Sequence, residues 1–153
     1  MSMIKINDDN QVAEKTISEI TEDFTENLLA AQELGTEFMY QTLMEYGGEL
    51  GDYPLELMTD MNKIHGCQST VYIYGEKIDN HVFYKGFADS KLVQGQVAIL
   101  LKIFNGQSPD DIINNSKDIL DDFVNSTKII ASLTPSRQNA FGSMYEHIKK
   151  IAQ

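Results

Sequence analysis

The spacing of apolar residues changes twice along this chain, and those changes restrict the possible folds. Between residues 11 and 46 apolar side chains recur every three or four positions, as on one face of a helix. Between residues 69 and 76 they alternate, so that Val71 and Ile73 share one face of a strand. Helical spacing returns from residue 90 onward. The pattern predicts an α+β fold in which a small sheet packs against helices.

Three short strands are expected in the middle region, at about residues 61–65, 69–76 and 80–87, with a hairpin turn at 77–80. They predict a small three-stranded antiparallel sheet packed against several helices. A helical layer can cover only one face of this sheet. We therefore expect the opposite face, which carries Tyr72 of the second strand, to be partly open.

The remaining segments are predicted to be helical or loop. Residues 49–60, around Pro54, are expected to form an ordered loop. The serine–proline and threonine–proline pairs near the end are typical of helix starts. The predicted helices cover residues 11–34 (with a break at 23–27), 35–46 and 90–104, two short segments after Ser108-Pro109, and a final one from Thr134-Pro135.

Length and charge exclude several classes of function. We expect a single domain over residues 1–153, with residues 1–10 as a flexible tail. No run approaches the ~20 apolar residues of a membrane span, and the start lacks the apolar segment of a signal peptide. A net charge of −11 argues against nucleic-acid binding, which requires a surplus of lysine and arginine. The free thiol and the missing export signal predict a cytoplasmic location.

The chain has one cysteine, Cys67, which follows Gly66 and precedes Gln68 and Ser69 just ahead of the central strand. A lone cysteine forms neither an intramolecular disulfide nor a tetrahedral thiolate metal site. Glycine and small polar neighbours favour a loop tip, where the thiol could act as a nucleophile. The other interpretation is a small buried apolar residue, which describes many free cysteines.

His65 lies two residues before this cysteine and has three interpretations. It could be a base for the thiol, half of a metal site, or a residue at a strand edge without a catalytic role. Two ligands do not make a metal site, and His81 and His147 show no ligand spacing. A cysteine hydrolase that uses His81 or His147 as its base is left open.

Four stretches in the same order resemble the SufE family, whose members are partners of cysteine desulfurases in iron–sulfur cluster assembly. The run of residues 66–69, followed by the alternating strand, resembles the family's sulfur-acceptor loop. Residues 40–47 resemble a family helix that ends in glycine, and residues 89–95 resemble the start of the family's central helix. Residues 133–137 resemble the family's Leu-Thr-Pro-Ser-Arg signature. The resemblance covers roughly residues 20–153.

This sequence departs from the family pattern at three places. His65 stands where the family usually has glutamine or a similar residue, and Tyr72 where it usually has tryptophan. Phe87 and Ala88 replace an Asp-Ser pair, so that Asp89 alone is left of that acidic patch. Because of the last departure, a partner contact that the family makes through the acidic pair is not carried over to this chain.

The resemblance implies a SufE/IscU-like fold and a sulfur-carrier function. Cys67 would take persulfide sulfur from a SufS-like desulfurase, stimulate that enzyme, and relay the sulfur to a SufB-like scaffold. The pyridoxal phosphate belongs to the desulfurase, and neither a cofactor nor a metal is implied for this chain. In the family the free protein shelters its cysteine in an apolar cavity, so we expect a largely buried Cys67. The chain would be a carrier rather than a stand-alone enzyme, and a homodimer is left open.

The resemblance, for Arg137, and the residue types, for the others, suggest roles around the cysteine. Arg137 would lie beside the loop and favour the thiolate or persulfide anion. Gln68 and Ser69 would shape the loop, and Asp89 is interpreted as a helix cap. Two alternative functions remain: a sulfur-relay adaptor for another desulfurase or acceptor, such as a tRNA-modifying system, and a non-catalytic binding module of the same fold.

Overall fold

The computed structural model describes residue 4 and the ranges 11–66, 69–128 and 135–153, with only the backbone for 135–139. These residues form six α-helices, two short 3₁₀-helices at Leu55–Leu57 and Asp60–Asn62, and one β-hairpin. The α-helices and the strands are named in chain order as α1 (Ile17–Leu34), α2 (Thr36–Gly47), β1 (Val71–Ile78), β2 (His81–Ala88), α3 (Lys91–Phe104), α4 (Pro109–Asn114), α5 (Lys117–Thr127) and α6 (Pro135–Ala152). The predicted tail of residues 1–10 lies outside the described part, except for Ile4, which is buried.

A capping box determines where the first helix begins. The Thr16 hydroxyl accepts a hydrogen bond from the backbone N–H of Glu19, and the Glu19 carboxylate accepts one from the N–H of Thr16. This reciprocal pair satisfies two backbone donors that the start of a helix otherwise leaves unpaired. The helix then continues without interruption, so the predicted start at residue 11 and the predicted break at 23–27 are both wrong.

The hairpin follows the prediction closely. Its two strands pair antiparallel from Val71 opposite Ala88 to Ile78 opposite His81. The turn consists of Asp79 and Asn80, which have φ values of 50° and 63°. One common type of two-residue hairpin turn has positive φ at both positions, and after glycine, asparagine and aspartate tolerate this conformation best.

The predicted third strand at residues 61–65 is wrong, and the sheet has two strands in the described part of the chain. Residues Asp60–Asn62 form a 3₁₀-helix instead, and Lys63 makes a single isolated bridge with Tyr72. The Asn62 amide donates to the carbonyl of Leu57 at 2.9 Å, a local bond that competes with strand pairing. Because Met61 is exposed and only Ile64 is buried, no alternating apolar face supports a strand here.

Helix α3 lies at the centre of the core, as predicted. Its apolar stripe is buried against α2 on one side and β2 on another. Helix α6 covers β1, and α1 packs on α2 and α5. The predicted start at Ser108-Pro109 is confirmed, since the Ser108 hydroxyl caps α4 through the N–H of Asp111 at 3.2 Å. None of the helices described here is long and apolar enough to cross a membrane.

Candidate functional site

Hydrogen bonds hold both ends of the loop that carries the cysteine. The N–H of Ile64 donates to the carbonyl of Val71 at 2.9 Å, which closes the base of the loop. Next to this bond, the N–H of Thr70 donates to the carboxylate of Asp89 at 3.0 Å, and the N–H of Asp89 donates to the carbonyl of Thr70 at 3.1 Å. Cys67 therefore belongs to a short connection between two fixed ends.

The structure revises the role of Asp89. Ser90, not Asp89, occupies the N-cap position of α3, so the interpretation as a helix cap is wrong. The carboxylate instead satisfies the backbone donor of Thr70, two residues after Gln68 along the chain. Asp89 thus ties the end of the hairpin to the residues that follow the cysteine.

The described residues of the loop agree with a tight turn. Gly66 has a φ of 84°, in the left-handed region where a side chain causes strain, as expected for a glycine at a turn. His65 is exposed, and its Nε2 lies 3.5 Å from a carboxylate oxygen of Asp60. Ser69 is half-buried. Cys67 and Gln68 themselves lie outside the described residues, and so does the prediction that Cys67 is buried.

A groove of about 1010 Å³ runs alongside the first end of this loop. Lys63, Ile64 and His65 form one wall, and residues of α6, including His147 and Lys150, form another. The groove also holds two ion pairs, Lys117 with Asp121 at 3.1 Å and Lys149 with Glu146 at 2.9 Å. Within the described residues Lys63 and Lys150 belong to no ion pair, so each wall of the groove carries a lysine without a carboxylate partner.

His147, considered from the sequence as the base of a cysteine hydrolase, is also a residue of this groove. Its Nε2 lies 2.9 Å from the carbonyl oxygen of Ile73 and must donate, because a carbonyl only accepts. Burial lowers the pKa of His147 below its usual value, and the nearby charges of Lys150 and His65 lower it further, whereas the bond to Ile73 works in the opposite direction. The net effect favours the neutral imidazole. Only the packing of α6 on β1 brings His147 close to His65, so no local sequence motif predicts that the two are neighbours.

Three aromatic rings cover the open face of the hairpin. Tyr72 and Phe87 are paired across the strands, with ring centroids 6.3 Å apart. Tyr53 stacks on Tyr72 at 6.0 Å and lies 6.3 Å from Phe87. Burial, together with the neighbouring tyrosines, raises the pKa of Tyr53 to about 12, so its hydroxyl stays protonated. Phe87, which stands where the family has an acidic residue, is thus a member of an aromatic cluster. All three rings are half-buried, so the prediction of a partly open aromatic face is confirmed.

Two further features predicted or considered from the sequence are the position of Arg137 and a metal site at His65. Arg137 lies in the first turn of α6, but its side chain is outside the described part, so its predicted position beside the cysteine is not tested. Among the described residues no group of three or more histidine, cysteine, aspartate or glutamate side chains is arranged to hold a metal ion. His65, considered as half of a metal site, lies beside Asp60 instead.

Comparison with family models gives a match to SufE, described as an Fe-S metabolism associated domain, over residues 19–152. An uncharacterized SufE-like protein of Synechocystis is 37% identical over 113 residues, which cover 74% of this chain and 69% of the relative. An uncharacterized SufE-like protein of Rhizobium meliloti is 33% identical over 121 residues, 76% of this chain and 84% of the relative.

A plant relative and a solved structure extend the comparison. The SufE-like protein 1, chloroplastic/mitochondrial, of Arabidopsis thaliana is 32% identical over 116 residues, 74% of this chain but 30% of that longer protein. The solution structure of a hypothetical protein from Thermus thermophilus superimposes with a TM-score of 0.65, covering 87% of this chain and 93% of the other. At 15% identity this structure supports the fold alone.

Proposed function

Because the chain belongs to the SufE family, we propose that it is a sulfur acceptor that takes persulfide sulfur onto Cys67 from a pyridoxal-phosphate-dependent cysteine desulfurase and relays it to an iron–sulfur scaffold. The observation that carries the proposal is the family match over residues 19–152, which spans Cys67, the chain's only cysteine. Family membership implies the coarser role in iron–sulfur metabolism. The identity of the desulfurase and of the final acceptor is part of the proposal.

The proposed transfer is an exchange at sulfur. The Cys67 thiol loses its proton, and the thiolate attacks the terminal sulfur of the desulfurase persulfide. A bond forms between Sγ of Cys67 and that terminal sulfur, while the bond to the desulfurase cysteine breaks and its thiolate leaves. The leaving thiolate then takes up a proton. The persulfide passes from one cysteine to the other without net oxidation, so neither an external oxidant nor a cofactor on this chain is required.

The ends of the loop support this chemistry. Attack requires the Cys67 sulfur to reach a second protein, which demands an accessible loop whose movement does not disturb the fold. The hydrogen bonds of Ile64 to Val71 and of Thr70 to Asp89 confine any movement to the residues between them. The turn at Gly66 adds a position with little steric restriction.

The charges beside the loop support it as well. Lys63 and Lys150 lie along the groove next to His65. A positive potential near a thiol favours the thiolate and the persulfide anion over their protonated forms. In the proposal Arg137 adds to this effect from the start of α6, and Gln68 and Ser69 shape the loop. His65 contributes as a neighbouring charge when protonated, rather than as a metal ligand.

The proposal is tested by mass spectrometry after incubation with a purified SufS-like desulfurase, free cysteine and pyridoxal phosphate. We expect a gain of one sulfur, about 32 Da, on the peptide that carries Cys67. Cys67→Ser should lose this gain and the stimulation of the desulfurase while its circular dichroism and Tm stay unchanged. Stimulation that survives in Cys67→Ser would contradict the mechanism and favour a non-catalytic binding module.

Arg137 is tested in the same protein through the rate at which iodoacetamide alkylates Cys67. Arg137→Ala should shift the pH–rate profile to higher pH, because the thiolate loses a stabilising charge. Lys15→Ala, a change of an exposed lysine paired with Asp23, serves as the control and should leave the profile unchanged. An identical profile for Arg137→Ala would contradict its role at the thiol and leave it as an ordinary surface residue.

A cytoplasmic location stays a prediction, since the plant relative is named chloroplastic/mitochondrial.

A further inference from the structure

Two large apolar side chains are strongly exposed on the loop before the cysteine. Leu55 is 79% exposed and Met61 is 84% exposed, more than any other large apolar side chain in the described part of the chain. A single exposed leucine is ordinary, but grouped apolar side chains on a surface mark a site of interaction. Each of these two is close in the chain to a residue that contacts β1.

The segments that carry Leu55 and Met61 are each tied to the aromatic rings through a neighbouring residue. Tyr53, two residues before Leu55, stacks on Tyr72 and donates its hydroxyl hydrogen bond to the carbonyl of Leu57 at 2.8 Å. Lys63, two residues after Met61, is bridged to Tyr72. We call the surface formed by Tyr53, Leu55, Met61, Tyr72 and Phe87 the apolar face.

This face adjoins the cysteine loop on both sides along the chain. Met61 precedes the loop and Tyr72 follows it, and the bond between Ile64 and Val71 holds the two sides together. A protein that delivers sulfur must bring its persulfide within bonding distance of Cys67. It must therefore cover the surface that borders the loop, and the apolar face is the part of that surface whose burial is most favourable.

The charges around the apolar face indicate the chemistry of the partner. Within two positions of its residues along the chain lie four exposed carboxylates, those of Asp52, Glu56, Asp60 and Asp89, against two lysines, Lys63 and Lys85. An acidic border favours a partner with basic side chains around an apolar centre. It disfavours a second copy of this chain, because two copies would bring their acidic borders together.

We propose that the apolar face is the docking surface for the persulfide-bearing desulfurase, which would present an apolar patch bordered by lysine or arginine. This inference rests on the proposed function. It assigns Leu55 and Met61 to partner binding and not to the chemistry at Cys67. The exposed position of both side chains means that their replacement should affect docking and leave the fold intact.

The test compares Leu55→Glu/Met61→Glu with Leu34→Glu/Phe38→Glu, a control pair whose leucine is 65% exposed near the junction of α1 and α2. Sulfur loading of Cys67 is followed by mass spectrometry with two donors: a purified SufS-like desulfurase supplied with cysteine, and inorganic polysulfide. Polysulfide reacts with the thiol directly and needs no docking surface.

We expect Leu55→Glu/Met61→Glu to lower the initial rate of desulfurase-dependent loading about tenfold or more, as for the loss of central interface residues. Loading by polysulfide and the Tm should match the wild type, and the control pair should load normally from both donors. An equal desulfurase-dependent rate in the variant would overturn the docking surface. A loss with both donors would overturn it too, because the change would then act on the cysteine loop.

Failure of the proposed function has a different signature. In that case the wild type itself gains no sulfur from the desulfurase, although it still reacts with polysulfide. The proposed docking surface would then be wrong as well. If the wild type proved dimeric by sedimentation and Leu55→Glu/Met61→Glu monomeric, the face would belong to a second copy and the proposal would be wrong.

Discussion

Gln96 places a primary amide in the second turn of α3, inside the core. Its side chain is fully buried, and neither Nε2 nor Oε1 has a hydrogen-bond partner among the described residues. A buried polar group without a partner costs free energy because water no longer solvates it. The buried amide of Gln96 therefore lowers the free energy of unfolding of the protein.

Replacing this amide by an apolar group of similar size should stabilise the protein. We expect Gln96→Met to raise the free energy of unfolding by about 1–3 kcal/mol, the range for relieving an unsatisfied buried polar group. Gln94→Met is the matched control, since Gln94 donates to the carbonyl of Ala88 at 2.8 Å and its loss should cost about 1 kcal/mol. Urea denaturation measures both, and a less stable Gln96→Met would mean that the amide is satisfied in solution.

At the scale of elements, α2 and α3 approach each other through two glycines. A Cβ added to Gly95 would lie 2.2 Å from the carbonyl oxygen of Leu43, and one added to Gly47 would lie 2.8 Å from the Cβ of Gln94. Both distances are far below contact distance. The close packing of these helices, and with it the position of α3 beneath the hairpin, depends on the absence of side chains here.

Gly95→Ala should therefore force the two helices apart. We expect a loss of about 3 kcal/mol in the free energy of unfolding, at the upper end of the usual cost of overpacking. Gly142→Ala in α6 is the control, since a Cβ there meets nothing within 4 Å and should stabilise the helix by about 0.5–1 kcal/mol. Thermal unfolding compares the two. Equal Tm values for Gly95→Ala and the wild type would contradict the close approach.

At the scale of the whole molecule, the net charge of −11 acts against the compact state. The ion pairs of Lys15 with Asp23 and of Lys117 with Asp121 are exposed and contribute little. Repulsion between carboxylates should therefore dominate the surface electrostatics.

Sodium chloride should consequently stabilise the protein. Between about 10 mM and 150 mM salt the screening length falls from ~30 Å to ~8 Å, so the repulsion that acts over the whole surface is weakened. We expect Tm to rise by a few degrees over this range, as followed by circular dichroism, and potassium chloride to give the same rise. A fall in Tm would mean that ion pairs outweigh the general repulsion.

Local spacing in the sequence was sufficient for the hairpin, for the central helix and for their inner faces. Val71 and Ile73 are fully buried as their alternation predicts, and α3 is the central helix that its apolar stripe predicts. The hairpin turn and the cap at Ser108 also follow from local chemistry. Such features depend on residues within a few positions of each other, so the sequence alone carries them. The glycine turn at Gly66 belongs to the same class.

The contacts around the candidate site depended on tertiary structure. Residues 61–65 lack a strand because Asn62 bonds locally and no apolar face is available to pair with β1. Asp89 holds Thr70 because the hairpin register, with Val71 opposite Ala88, places these two residues opposite each other. His147 reaches Ile73 only because α6 packs on β1. The histidine and its acceptor are distant in sequence, and their spacing carries no period. Their contact follows from which helix covers which face, a choice made by packing of the whole core rather than by any segment of the chain.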